Sequence, residues 1–138
     1  MSINIKQISS EEQLQQAYAI RKQVFCVEQN VAEKIEMDRF DKFSNHILAF
    51  ADEKPIGTAR WRFTIEGVKL ERFAVLKEHR TTGIGKAMVK FVLDQVKDLG
   101  QVYLNAQESV IPFYEKFGFK TVGERFLEAD IPHKKMVL

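Results

Sequence analysis

The sequence predicts an α/β fold in which a mixed sheet carries helices on its faces. Three observations predict it. Hairpin signals follow an opening strand and helix. A strand–helix–strand unit follows the hairpins and brings parallel pairing into the sheet. The chain has 138 residues, 45% of them hydrophobic and 11 of them Phe, which suits one core and one domain over 1–138.

Ile3 and Ile5 alternate with polar residues and predict a short first strand. Ser9 and Ser10 each precede an acid or amide by three residues, Glu12 and Gln13, in the spacing of a helix N-terminal box. Leu14, Ala17, Tyr18, Val24 and Phe25 then share one helical face. From Glu28 to Asp41 the periodicity dissolves and acids collect, predicting an irregular, partly helical segment beside a site. His46–Ala51 and Ile56–Phe63 read as strands joined by the turn Asp52-Glu53-Lys54-Pro55.

Leu70–Val75 is the next strand. Ile84, Ala87, Met88, Phe91, Val92, Val96 and Leu99 form the stripe of a helix that opens at Gly83 and stops near Gly100. Val102–Ala106 reads as a buried strand and Pro112–Phe117 as a brief helix ended by Gly118. Strands near Phe119–Phe126 and His133–Val137 complete the chain.

Composition excludes several classes. A net charge of +2 gives no basic footprint for nucleic acid. The single cysteine, Cys26, cannot close an internal disulfide, and no apolar run reaches the ~20 residues of a membrane span. The N-terminus does not read as a signal peptide, so the expected location is the cytoplasm. His46, His79 and His133 are scattered, no Cys or His pair has ligand spacing, and no metal is expected.

The chemistry concentrates in Arg80-Thr81-Thr82-Gly83-Ile84-Gly85-Lys86. The first amides of a helix lack internal partners and, with the helix dipole, attract an anion. Gly83 and Gly85 let the backbone approach a bulky ligand, while Arg80 and Lys86 add positive charge. A Walker loop needs Gly where Arg80 stands and Ser or Thr where Ala87 stands. The dinucleotide fingerprint needs Gly or Ala where Met88 stands. The pattern that fits is Arg or Gln, two residues, Gly, one residue, Gly or Ala.

That pattern resembles the signature of the GNAT superfamily of N-acetyltransferases. Its context strengthens the likeness: Leu70–Val75 before it, Tyr103-Leu104-Asn105-Ala106 after its helix, then Phe113-Tyr114-Glu115-Lys116-Phe117-Gly118-Phe119. The run Val24-Phe25-Cys26-Val27-Glu28-Gln29 resembles a bacterial subgroup of small single-domain members. The resemblance implies a mostly antiparallel sheet with a splayed parallel strand pair, and acetyl-CoA as co-substrate. The pantetheine arm would lie along Phe73, Ala74 and Val75, the pyrophosphate on Arg80 to Lys86. Asn105 would bond the arm or close a strand-end turn.

For chemistry, the resemblance assigns Tyr114 as acid to the leaving thiolate. From the residues alone it reads as a tyrosine packed with Phe113 and Phe117. Glu71 is one candidate base, and half of an ion pair with Arg60 or Arg72 is its other reading. Glu28 is a second candidate, and a water relay a third. Cys26, flanked by Phe25 and Val27, reads as a small buried hydrophobe, so direct transfer is expected.

Phe25, Glu28 and Arg60 are expected around the acceptor. Mixed charge there suits the primary amine of an amino acid or amino-sugar type of molecule. Protein or peptide acetylation is the alternative, and a non-catalytic coenzyme A sensor is the rival outside enzymes. Many family members are dimers, so a homodimer is an expectation from the resemblance alone.

Overall fold

A computed structural model describes residues 2–138. Its seven strands form one sheet: β1 (Ile3–Gln7), β2 (Asn45–Ala51), β3 (Lys54–Thr64), β4 (Gly67–Val75), β5 (Val102–Gln107), β6 (Lys120–Glu128) and β7 (Ile131–Val137). The order across the sheet is β1-β2-β3-β4-β5-β7-β6, with β4 and β5 parallel and every other neighbouring pair antiparallel. Four α-helices accompany it: α1 (Glu11–Arg21), α2 (Glu33–Glu36), α3 (Ile84–Val96) and α4 (Ile111–Glu115).

Each face of the sheet has its own core. Ile84, Met88, Val89, Val92 and Val96 of α3 pack on Ile47, Ala49, Val68, Leu70, Leu104 and Met136. On the other face Ala17 and Ile20 of α1, with Val24, pack on Leu48 and Ala74. The alternation of β2 accounts for the division, since Ile47 and Ala49 face α3 while Leu48 faces α1.

Several boundaries differ from the sequence reading. Only Asp52 and Glu53 form the first hairpin turn, both left-handed (φ 47° and 73°), as a tight two-residue turn requires. Lys54 and Pro55 belong to β3, and the ladder shifts by one residue where Pro55 faces Phe50. Helix α1 stops at Arg21, and Lys22–Glu28 continues as a wider π-helical turn. Ser10 caps α1 by accepting from the Gln13 amide, while the Gln13 side chain accepts from the Ser9 amide.

The feature that makes a site is the brevity of the parallel pairing. Strands β4 and β5 pair only through Val68–Val102, Lys69–Tyr103 and Leu70–Leu104. Immediately beyond, β4 carries a bulge against β3, where Arg60 faces Glu71 but Thr58 faces Ala74. Arg72 lies inside it at φ 61°. A bulge bends and twists its strand locally, and β4 turns away from β5 at this point.

Candidate active site

Past Leu70 and Leu104 the facing edges of β4 and β5 carry no ladder, while β3 and β7 still pair with their outer edges. The gap opens into a cleft of about 720 Å³. Phe73, Ala74 and Val75 line one side, and Leu104, Asn105, Ala106 and Gln107 the other. An extended ligand entering here meets two free strand edges, the geometry of strand addition. The Val75 carbonyl is already used, because it accepts from Arg80 Nε at 2.9 Å.

At one end of the cleft stands the start of α3. Gly83 is its N-cap at φ 86°, and no side chain caps the helix. The first-turn amides of this 13-residue helix therefore keep their capacity for an anion. Gly85 lines the cleft, and a Cβ there would come no closer than 3.6 Å to the chain's own atoms. Nothing in the protein's packing demands glycine at 85. Arg80, Thr81, Gly83 and Lys86 line the same end. Thr82 and Ile84, expected beside them, do not. Thr82 Oγ1 donates to the His79 carbonyl at 2.6 Å, and Ile84 is buried in the core.

Tyr114 reaches the cleft from α4 and is held by edge contacts to Phe73, Phe113 and Phe119, with ring centroids 6.1, 5.1 and 6.0 Å away. Burial pushes its phenol well above the ordinary tyrosine range. A phenol so placed keeps its proton at neutral pH.

Of the three expected acceptor-side residues, two lie outside the cleft lining and are engaged in ion pairs. Arg60 is buried at 1% exposure and does not line the cleft. It bonds Asp38 through two nitrogens at 2.7 and 2.8 Å, Asp41 at 2.8 Å and Glu71 at 2.7 Å. Glu28 also lies outside the cleft lining and makes a two-pronged pair with Arg80. Phe25 does line the cleft.

Glu71 lines the cleft but is surrounded by cations. Its Oε2 accepts from Arg60 and Arg62, each at 2.7 Å, and Lys69 Nζ lies 3.3 Å from Oε1. Burial alone would raise this carboxyl; Arg60, Arg62 and Lys69 outweigh it and lower it below the ordinary glutamate value. A carboxylate so stabilised is a weaker proton acceptor than a free glutamate.

The same network accounts for the acid-rich segment. Arg21 pairs with Glu36 at 2.8 Å and Asp41 at 2.7 Å, and Arg72 with Glu36 and Asp38, both at 3.1 Å. Glu36, Asp38 and Asp41 thus fasten α2 and the 3-10 turn Arg39–Phe43 to the sheet, and hold arginines rather than an ammonium substrate. Cys26 is half-buried, and burial raises its thiol above the ordinary range, so it offers little thiolate at neutral pH. Among the described residues no group of three His, Cys, Asp or Glu side chains could hold a metal ion.

Among the polar residues of the cleft wall that sequence reasoning passed over are Glu128 and His133. Both flank the β6–β7 turn, and His133 faces Gln107 of β5. In the sequence His133 opens a strand directly after Pro132, and that position is its available signal.

The comparisons with known proteins agree with this geometry. A family model described as "Acetyltransferase (GNAT) domain" matches residues 6–138. The uncharacterised N-acetyltransferase YjcF of Bacillus subtilis is 42% identical over 131 residues, covering 93% of this chain and 94% of that protein. The crystal structure of Escherichia coli ElaA superposes with a TM-score of 0.88 at 28% identity, covering 99% of both chains. The fold is also that of a GNAT acetyltransferase from Elizabethkingia anophelis with acetyl-CoA bound, at a TM-score of 0.71 and 16% identity over 98% of this chain and 94% of that one. With its splayed strands, uncapped helix start and matching relatives, the chain belongs to the GNAT acetyltransferase family, and is an acyltransferase whose co-substrate is acetyl-CoA.

Proposed function

We propose that the enzyme transfers the acetyl group of acetyl-CoA to a primary amine of a small molecule, of amino acid or amino-sugar type, by direct attack. One observation carries the small-molecule reading: besides β4, β5 and the start of α3, the cleft is walled from two further parts of the chain. Val24, Phe25, Val31 and Ile35 come from the N-terminal helical segment, and Ala129, Ile131 and His133 from the β6–β7 hairpin. Lys69 and Arg72 also line the cleft, each paired with carboxylates of the chain, Lys69 with Glu71 and Arg72 with Glu36 and Asp38.

In this reading the edge of β4 at Phe73 to Val75 and that of β5 at Asn105 hold the pantetheine arm. The pyrophosphate rests on Arg80 to Lys86, and Tyr114 protonates the departing thiolate. An alkylammonium, with pKa near ~10, must lose a proton before attack, and the leaving thiol, near ~8.5, gains one. A cytoplasmic location goes with acetyl-CoA as donor, and a homodimer is part of the same proposal, read out by light scattering.

The test is thiol release from acetyl-CoA over a panel of amino acids, amino sugars, amino-sugar phosphates and peptides. Turnover on the small amines is expected. Turnover confined to peptide N-termini or lysines would overturn the acceptor class. Coenzyme A binding without thiol release on any amine would make the domain a sensor instead.

A further inference from the structure

His133 is the buried imidazole in the cleft wall, and its surroundings define its chemistry. Its Nδ1 lies 2.6 Å from the carbonyl oxygen of Ile131. A carbonyl only accepts, so Nδ1 carries the hydrogen, and the neutral ring keeps its lone pair on Nε2. The ring stacks on Phe126, with centroids 5.9 Å apart and planes 22° from parallel, which holds its direction. Glu128 Oε2 stands 4.0 Å from Nε2, beyond hydrogen-bond distance. His133 faces Gln107 across the β5–β7 ladder and so shares a sheet face with Asn105 and Gln107, past the point where β4 and β5 part. Glu71, the carboxylate nearest to that role in the sequence, is held by three cations.

We propose that His133 Nε2 is the base that takes the proton from the acceptor ammonium. This rests on the reading of a primary-amine acceptor, but not on the size of the molecule that bears it. The ammonium gives one proton to Nε2, and the freed lone pair forms the N–C bond to the acetyl carbonyl. The C–S bond breaks, and the thiolate takes a proton from Tyr114. A second proton leaves the new amide nitrogen and restores Tyr114 through solvent, while the imidazolium releases its own to water. An amide, a thiol and one proton result.

His133→Asn separates this from a structural role, because the Asn side-chain amide can still donate to the Ile131 carbonyl while offering no basic nitrogen. With the best amine of the panel, kcat/KM is expected to fall about 100-fold or more, with coenzyme A affinity unchanged by titration. The deficit should narrow for acceptors of low pKa, which are already unprotonated at the assay pH. His133→Ala, with the same loss, should regain turnover with added imidazole. A variant as active as wild type would overturn the assignment alone. A wild type that acetylates no amine would overturn the acceptor reading and this assignment with it. Long-range 1H–15N NMR of the free protein decides independently: a hydrogen on Nδ1 is expected, and one on Nε2 of the neutral ring would exclude the base.

Discussion

Arg80 and Glu28 face each other across 52 residues in a two-pronged pair, Nη1 to Oε2 at 2.9 Å and Nη2 to Oε1 at 2.8 Å. The pair ties the π-helical turn to the loop before α3, at the end of the cleft where an anion would sit. Both side chains are partly exposed, 39% and 25%, so their mutual attraction contributes roughly 0–1 kcal/mol to stability. Arg80→Ala should raise the Kd for acetyl-CoA about tenfold, the scale of one lost charge-assisted bond, with a nearly unchanged Tm. Glu28→Gln leaves the guanidinium to the ligand and should hold or lower that Kd. Calorimetric titration of both variants checks this; an equal rise in both would show that the pair merely fixes the loop.

Gly85 makes a sharper test of the same end, because stability and affinity should move in opposite directions. It lies in the first turn of α3 with room for a Cβ. Gly85→Ala should stabilise the fold by up to ~1 kcal/mol through helix propensity. The methyl points at a face that lines the cleft, so coenzyme A should bind several-fold more weakly. Urea unfolding and ligand titration on one sample read both numbers. Unchanged affinity would mean that the cofactor does not approach Gly85.

Glu71 is held by Arg60, Arg62 and Lys69, and the structural weight of that cluster is measurable. Taking one charge out of a buried ion-paired cluster costs roughly 3–5 kcal/mol. Glu71→Gln should therefore lower Tm by roughly 10 °C. Where the variant stays folded, turnover should remain within about tenfold of wild type, short of the loss a missing base causes. A Tm near wild type with turnover down ~1,000-fold would assign Glu71 to catalysis.

The order of elements was legible because each rests on local periodicity, from Ile3 and Ile5 to the stripe on α3. So was the anion end, since Gly83 and Gly85 act through backbone conformation and a missing Cβ, which sequence displays directly. The parting of β4 and β5 was reached only by resemblance. Physically it depends on a bulge at Arg72, a residue with no turn propensity held at φ 61° by the strands around it. Nor could spacing pair Arg60 with Asp38, 22 residues away, or carry His133 to a cleft assembled from β4 and β5. These contacts come from folding two distant segments onto one sheet face.

In the proposed mechanism Tyr114 carries the leaving-group end. Its raised pKa keeps it protonated across the working range, as a proton donor needs. Tyr114→Phe keeps the ring contacts to Phe73, Phe113 and Phe119. It should reduce kcat about 10²-fold or more while leaving the Kd for coenzyme A nearly unchanged. Wild-type turnover in the variant would leave the tyrosine a packing residue.

The ion network also sets acid stability, and the sign follows from Asp38. Burial raises its carboxyl, but the hydrogen bonds and charge of Arg60, with Arg72, outweigh burial and lower it from 3.8 to about 2. A folded pKa below the unfolded one gives stability that is present above the unfolded pKa and lost as pH falls through the folded one. The urea midpoint should therefore drop between pH 3.8 and about 2. Glu71 is lowered in the same direction and adds to the fall. His46, lowered by burial from 6.5, weakens the fold in a separate window as pH drops below 6.5, because the unfolded chain protonates first. Asp38→Asn should flatten the lower window and leave the upper one unchanged. A lower-window slope as steep as wild type would place the acid sensitivity in groups other than Asp38.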